Sequence, residues 1–421
     1  MARLARVVGI VAALLCGVAA GRVLWSPLPA GPRVDSALPE ALSAGGAGTA
    51  VAALSAVAVT VALTRRRSIT LTTMVAAAGL LLLVLPGTID YPSEPVVLLY
   101  SNAVAAGLVL GAVAPLSARY TETQAGLAGG MLAAFLLTEG VEAGRVHTAD
   151  FGWTAYTPLT SLVRWEPSTL VPVWLMALAA ALVVLWALLD RRTSWTVRVD
   201  SRIVAAALVL PVAVFAAHWI LVDTRAQPVA WLGYVAVAVV AVVAIAWRLP
   251  GRDGRILLAA TAVVAAALGT PTGETWALIA SAVLLVAGLV VGLRFPVPTA
   301  GFVLLAAVAA ADLLVGEESW TAVPAAAFSF VLPAAAGYVV GACLPSSAPA
   351  ATVGLTLPFT LAVPGAAAAA WGAEARYADY QPMPLLRGID AVPASAVGVA
   401  VAVIVVCGVG AWGLDLRAGS R

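Results

Sequence analysis

The sequence predicts an all-α, polytopic integral membrane protein with about 14 transmembrane helices, arranged as two parallel six-helix repeats and a two-helix insert. The chain of 421 residues is 62% hydrophobic and only 10% charged, whereas soluble domains carry about 25% charged residues. Its apolar residues come in successive blocks of roughly 18–22, the length that crosses the hydrocarbon core of a bilayer. A soluble core does not need blocks of that length repeated so regularly.

Fourteen apolar blocks give the predicted transmembrane helices in chain order. Their approximate spans are 4–24, 45–64, 68–88, 96–116, 125–144, 169–190, 203–222, 228–247, 255–270, 275–294, 298–315, 323–343, 350–371 and 392–414. The first block follows a basic start, as the apolar region of a signal peptide does. Because this block is long and no small-x-small cleavage site precedes the next one, we expect an uncleaved first helix.

The arginines predict the orientation of the helices, because cytoplasmic loops of membrane proteins are enriched in basic residues. With a cytoplasmic N-terminus, 16 of the 23 arginines fall in inside segments and 16 of the 21 acidic residues fall outside. This asymmetry predicts a multi-pass protein of the cell membrane with both termini in the cytoplasm. The net charge of +2 is spread over short loops, so the expected partner is the lipid bilayer and no nucleic acid is expected.

Two pairs of similar segments indicate an internal repeat. GLVLGAVAP (Gly107 to Pro115) and GYVVGACLP (Gly337 to Pro345) share the pattern G-x-V-x-G-A-x-x-P at an offset of 230 residues. YTPL from Tyr156 and YQPMPL from Tyr380 follow at nearly the same offset, 224 residues. The shared offset predicts that the two ends of the chain are related halves.

The repeat divides the chain into a six-helix half (1–192), a two-helix insert (193–254) and a second six-helix half (255–421). Equivalent helices run in the same direction, so the repeat is parallel, as in several transporter folds. The two glycines of each motif are four residues apart on one helix face, where small residues allow a second helix to approach closely. The proline of each motif lies near the predicted cytoplasmic end, where a helix can stop.

Two stretches carry a resemblance to a known family. LTRRRSITLTTMVAAAGLLLLVLP (Leu63 to Pro86) is similar to the end of the helix 2–3 loop and helix 3 of the fourteen-helix branch of the major facilitator superfamily. GLVLGAVAPLSARYTETQAGLAGG (Gly107 to Gly130) resembles its passage from helix 4 to helix 5. The resemblance implies a transporter or exporter of small molecules. It does not extend to proton coupling, because the family's acidic residue before the arginines and its arginine in helix 4 are absent.

Polar side chains within the predicted spans are the candidate binding residues, because they are costly in a bilayer and usually functional. The substrate-binding candidates near the predicted outer face are Tyr100, Asn102, Glu139, Glu142 and Asp312. Glu139 and Glu142 either face a ligand in the bundle or form a local interfacial pair with Arg145. Asp312 is either a functional carboxylate or an interfacial cap. No charged residue is predicted at the centre of a span, unlike in most ion-coupled carriers.

The long loop from Asp150 to Trp165 adds two aromatic candidates, Trp153 and Tyr156. Tryptophan and tyrosine prefer the membrane–water interface, and a short interfacial helix is predicted from Thr160 to Trp165. The loop from Ala375 to Asp390 is its expected counterpart in the second half. These two loops either anchor the protein at the membrane surface or cover an outward-facing cavity.

The residues give no support to enzyme or cofactor chemistry. GWTAYTPL (Gly152 to Leu159) is similar to an outer-loop motif of subunit I of haem–copper oxidases, but the two histidines, His147 and His218, are too few for such centres. The three cysteines, Cys16, Cys343 and Cys407, all lie in apolar blocks. We therefore expect no metal, no cofactor and no disulfide framework. No nucleophile–base arrangement is found, so an enzyme is not expected.

Three functions remain open at this stage. The first is a facilitator-type secondary transporter or exporter of a small molecule. The second is a non-transporting envelope or assembly protein that binds a protein partner or lipid at its outer face, as the outer polar residues and aromatic loops suggest. The third is a flippase or transferase for a lipid-linked substrate, which ranks last because no buried arginine cluster is found for a pyrophosphate.

Overall fold

The described part of the protein folds into a bundle of fourteen helices. In the computed structural model the described residues are 2–25, 45–88, 95–148, 172–190, 200–223, 228–250, 253–267, 274–311, 313, 322–374 and 394–419. Their helices are numbered α1 to α14 in chain order, and this part of the chain contains no strand. Each of the fourteen predicted spans corresponds to one helix, so the prediction of an all-α polytopic membrane protein is confirmed.

The helix bounds are as follows. The first six helices are α1 (Ala2–Trp25), α2 (Gly45–Arg66), α3 (Ile69–Thr88), α4 (Pro95–Ser117), α5 (Thr121–Thr148) and α6 (Val173–Leu189). The next two are α7 (Ser201–Asp223) and α8 (Pro228–Arg248). The last six are α9 (Asp253–Ala266), α10 (Thr275–Arg294), α11 (Pro298–Ala311), α12, α13 (Ala348–Glu374) and α14 (Ala394–Gly419). Helix α12 joins Ala322–Ala326, a π-helical turn at Ala327–Val331, and Leu332–Cys343.

Several helices are longer than the apolar blocks that predicted them. Helix α5 was expected over 125–144 and runs from Thr121 to Thr148. An apolar block marks only the part of a helix in hydrocarbon, whereas the backbone hydrogen bonds continue into the polar interface. The expectation that the motif prolines stop their helices is wrong for Pro115, which lies inside α4. Pro345 does lie beyond α12, which ends at Cys343.

The exposed face of helix α10 indicates that the outer surface of the bundle lies in lipid. Its buried face carries Ala277, Ser281, Leu285, Leu289 and Gly292. The opposite face carries large apolar side chains, of which Trp276, Ile279 and Val283 are each at least 60% exposed. Water would not tolerate such a stripe, because each exposed apolar side chain forgoes roughly 1.5–3 kcal/mol of burial. A lipid environment removes this cost, so the chain is a multi-pass membrane protein.

The contacts among the first six helices match the contacts among the last six. Helix α1 packs on α4, α5 and α6, as α9 packs on α12, α13 and α14. Helix α2 packs on α4 as α10 packs on α12. Helix α3 packs on α4 and α6 as α11 packs on α12 and α14. Each of these helix pairs therefore has a counterpart at the same place in the helix order.

The repeated glycine motifs lie at two of these matching contacts. A Cβ atom added at Gly111 would lie 2.5 Å from the carbonyl oxygen of Ala56 on α2, and one added at Gly341 would lie 2.5 Å from that of Leu289 on α10. Real Cβ atoms essentially never approach backbone oxygen so closely. In both motifs, glycine is thus required for one backbone to lie directly against another.

The two central helices do not pack symmetrically between the two groups. Helix α7 contacts α2 from the first group and α13 from the last. Helix α8 packs mainly on α9 and also contacts α7 and α14. Helix α7 thus lies across the line where α2 and α13 meet.

Candidate functional site

The first six helices and the last six meet along a seam that runs through the bundle. Helix α13 contacts α1, α2, α4 and α5, while α5 also contacts α10 and α12. We call the end of the bundle where α1 begins the N-side and the opposite end the far side. Polar side chains cross the seam near the N-side, and apolar side chains fill it further in.

Gln124, in the first turn of α5, makes two hydrogen bonds across the seam. Its side-chain Nε2 donates to the Ser346 carbonyl oxygen at 2.6 Å, and its Oε1 accepts from the Ser346 backbone N–H at 3.2 Å. Ser346 lies in the short link between α12 and α13. Gln124 is only 3% exposed. A primary amide offers one donor and one acceptor side by side, so this one side chain satisfies both main-chain groups of a residue in the other group.

Thr60 on α2 connects three helices one to two turns deeper. Its Oγ1 donates to the Gly111 carbonyl oxygen on α4 at 3.1 Å and lies 3.1 Å from Thr352 Oγ1 on α13. In a regular helix the Gly111 carbonyl would accept from the N–H of residue 115, four positions on. Pro115 has no N–H. The Thr60 hydroxyl therefore replaces a helix hydrogen bond that the proline removes.

Replacing Thr60 with valine is expected to lower the free energy of unfolding by about 1–3 kcal/mol, the usual cost of depriving a buried polar group of its partner. Valine keeps the shape of threonine but supplies no hydrogen for the Gly111 carbonyl. The matched control is Thr64→Val, because the Thr64 hydroxyl donates only to the Thr60 carbonyl of its own helix. Thermal unfolding of the purified protein in detergent measures both, and equal losses would contradict the role given to Thr60.

Further from the N-side, the seam is closed by aromatic rings and small apolar side chains. Phe135 on α5 packs edge to face against Phe359 on α13 with ring centroids 5.4 Å apart, and also against Trp25 on α1 at 5.5 Å. A narrow chamber lies beside the rings, between α5 of the first group and α9, α12 and α13 of the last. It is lined by Met131, Leu132, Phe135, Ile256, Ala260, Val340, Gly354, Leu355, Pro358 and Phe359.

The described lining of this chamber contains no charged side chain. A charged solute would lose its hydration there without gaining a partner, which costs several kcal/mol or more. The lining of the chamber is thus apolar, and at its present size the chamber has room for about one water molecule.

Charged residues also form ion pairs at the N-side within each group, and of these residues Arg255 is buried and the others are half-buried. Arg119, just after α4, donates to Asp190 at the end of α6 at 2.8 Å. Arg255 in the first turn of α9 pairs with Asp415 near the end of α14. All four residues lie at or just beyond the ends of the predicted spans, on the side predicted to be cytoplasmic. Their pairing could not be read from spacing.

The residues predicted as substrate-binding are placed as follows. Asn102 is buried and Tyr100 is partly buried, both in the far-side third of α4. Glu139 and Glu142 belong to α5, but their side chains lie outside the described part of the structure. Asp312, Trp153 and Tyr156 lie outside the described residues, as do both aromatic loops. A binding role for all seven stays a prediction.

Four residues that the sequence reasoning passed over form the cross-seam contacts, namely Gln124, Ser346, Thr60 and Thr352. A search for titratable groups misses them because none of them carries a charge. One signal was available, since Pro115 lies four residues after Gly111 and so implies a carbonyl that needs a donor from another helix. Within the described residues, no group of three or more potential metal ligands is found.

Comparison with known proteins gives similarity to solved transporters. No family model and no curated protein matches the chain. The chain is similar to the inward open xylose transporter XylE from E. coli, at 12% identity and a TM-score of 0.45 over 97% of this chain and 95% of that one. It is also similar to a partially occluded inward open form of XylE, at 13% identity and a TM-score of 0.47 over 97% of this chain and 98% of that one. A third similar structure is that of an auto-inhibited POT family peptide transporter, at 14% identity and a TM-score of 0.45 over 99% of this chain and 96% of that one.

Proposed function

We propose that the protein is a facilitator-type secondary transporter in which two related six-helix halves move against each other around the apolar chamber. The observation that carries the proposal is the seam itself. Among the described residues, the polar side-chain contacts across the seam are few, uncharged and near the N-side, and a chamber lined from both sides lies behind them. A seam of this kind can part at one end without leaving charges buried and unpaired.

The proposed halves are residues 1–192 and 255–421, with the insert at 193–254. The shared glycine motif and the matching helix contacts support this division. A parallel repeat gives the two halves alike inner faces, so a solute held between them can be reached from either side of the membrane by a rocking movement. The distribution of arginine supports a plasma-membrane location with the N-side in the cytoplasm.

The chamber must widen as the halves part before it can hold a solute, and its apolar lining then favours an uncharged and largely apolar one. The direction of transport would be export or import according to the gradient and coupling. Asn102, Tyr100 and the carboxylates Glu139, Glu142 and Asp312 are proposed to bind polar parts of the solute on the far side. The other candidate is the non-transporting envelope or assembly protein, which would use Trp153 and Tyr156 to bind its partner.

A transport screen separates these two functions. Purified protein in liposomes is offered labelled solutes that range from charged to apolar, and protein-free liposomes serve as the control. At least one apolar, uncharged solute is expected to cross faster with the protein than without it. A screen in which no solute moves, together with a stable co-purifying partner that is lost in Trp153→Ala/Tyr156→Ala, would refute transport in favour of the second function.

A further inference from the structure

We propose that Gln124, Ser346, Thr60 and Thr352 form an uncharged latch, the N-side latch, which holds the two halves closed at the N-side and breaks when that side opens. This inference rests on the proposed transport function for its purpose. The contacts themselves join the two groups of helices whatever the solute.

The amide part of the latch is built to be released into water. Gln124 lies in the first turn of α5 and Ser346 in a link between helices, so both are at the end of the bundle. When the halves part there, water can replace both hydrogen bonds. The net contribution of each such bond is therefore modest, about 0.5–1.5 kcal/mol, and the latch closes the seam without fixing it permanently.

Both threonine hydroxyls of the latch have backbone carbonyl acceptors that do not depend on the contact across the seam. The Thr60 hydrogen is committed to the Gly111 carbonyl, because Pro115 provides none. Thr352 Oγ1 donates to the Ala348 carbonyl of its own helix at 2.8 Å and lies 3.1 Å from Thr60 Oγ1, so its one hydrogen is shared between Ala348 and the contact across the seam. On opening, Thr352 turns its hydrogen fully to Ala348. No buried donor is left without an acceptor in either state, so the exchange costs little.

The latch contains no charged residue, and it therefore differs from a gate made of ion pairs in its response to salt. Salt screens interactions between charges but has little effect on hydrogen bonds between neutral groups. The ion pairs at the N-side, Arg119–Asp190 and Arg255–Asp415, each join residues within one half. Opening of the N-side is therefore expected to be insensitive to ionic strength.

A native cysteine lies close enough to report on the latch. Cys343 is the last residue of α12, three positions before Ser346, and its thiol is free and fully buried. Cys16 in α1 and Cys407 in α14 are also free and fully buried, but they lie in the middle of their helices. Alkylation of Cys343 by a water-soluble maleimide thus measures opening of the N-side, and the other two thiols serve as internal controls for unfolding.

The test compares maleimide labelling of the full-length protein with that of three variants. Gln124→Ala is expected to raise the rate at Cys343 by about tenfold, because two cross-seam hydrogen bonds are lost. Gln124→Glu is expected to raise it further, since its carboxylate would face the Ser346 carbonyl oxygen without a donor. The matched control is Thr356→Val, whose hydroxyl bonds only within α13, and it is expected to leave the rate unchanged. Site-resolved mass spectrometry gives the rate at each thiol.

Three outcomes would overturn the latch. Unchanged Cys343 labelling in both Gln124 variants would show that these bonds do not hold the seam. Equal labelling of all three cysteines would show general unfolding. A rate that rises with salt in the unaltered protein would show a gate made of charges. Because the measurement needs no solute, a failed transport screen leaves this test valid, and a failed latch leaves the transport screen valid.

Discussion

Replacing Gly130 with alanine is expected to lower thermal stability more than any other small substitution discussed for this protein. A Cβ atom at this position would lie 2.1 Å from the Leu14 carbonyl oxygen and 2.9 Å from the Val18 amide nitrogen, both on α1. Backbone atoms cannot rotate aside as a flexible side chain can. Helices α1 and α5 must therefore separate, and overpacking of this kind costs about 1–3 kcal/mol or more.

The pair of helices that Gly130 joins explains the size of the effect. On the facing helix, a Cβ atom at Gly17 would lie 2.6 Å from the Leu127 carbonyl oxygen. The two backbones are thus in direct contact along this part of the helix pair. Without a hydrophobic driving force between helices in lipid, such close van der Waals packing is a main source of their association.

The matched control for Gly130→Ala is Gly398→Ala in α14. A Cβ atom at Gly398 has nothing within 4 Å, so alanine is expected to be neutral or to stabilise the helix by up to about 1 kcal/mol. Thermal unfolding in detergent, followed by size-exclusion chromatography of the heated samples, measures both variants. A similar loss of stability in both would mean that the contact at Gly130 is not the cause.

Linking Thr60 to Thr352 through cysteines is expected to abolish transport reversibly. The two hydroxyl oxygens are 3.1 Å apart, and because a cysteine Sγ takes the place of a threonine Oγ1, the two sulfur atoms would lie close to the S–S bond length of about 2.05 Å. The pair Thr60→Cys/Thr352→Cys is made in a background of Cys16→Ala, Cys343→Ala and Cys407→Ala. Oxidation then ties α2 to α13 across the seam, and a protein that must open its N-side to complete a cycle cannot move solute.

The measurement is solute flux in liposomes before oxidation, after oxidation and after reduction. Flux is expected to fall to the protein-free level and to recover with a reducing agent. The single variant Thr352→Cys in the same background should keep its flux in all three conditions. Flux that continues through the oxidised pair, with the disulfide verified by mass spectrometry, would mean that α2 and α13 do not separate during transport.

The sequence was sufficient for the helices because the bilayer imposes their length. Every backbone polar group in lipid must be satisfied within its own segment, so each apolar block corresponds to one helix. The glycine motifs were also readable, since Gly107, Gly111, Gly337 and Gly341 contact a neighbouring backbone as their spacing indicates. What these motifs pack against was not readable, because the register between two helices depends on the whole bundle.

The cross-seam contacts could not be predicted for two physical reasons. Gln124 and Ser346 are 222 positions apart and Thr60 and Thr352 are 292 apart, so no local pattern relates them. They are also neutral, whereas the search for functional residues relied on the cost of placing charge in a membrane. The same reliance favoured Glu139, Glu142 and Asp312 as candidates. Arg255 and Asp415 were assigned to cytoplasmic segments, and their pairing was not predicted.

The position of α7 makes two contacts between the helix groups, α2 with α13 and α5 with α10, unequal in how easily they separate. When α2 separates from α13, α7 can stay in contact with only one of these helices. Lipid must then fill the gap between α7 and the other helix. Among the described residues, neither α7 nor α8 lies across the contact of α5 with α10. Separation of α2 from α13 therefore also breaks a contact with α7, so it is expected to cost more free energy than separation of α5 from α10.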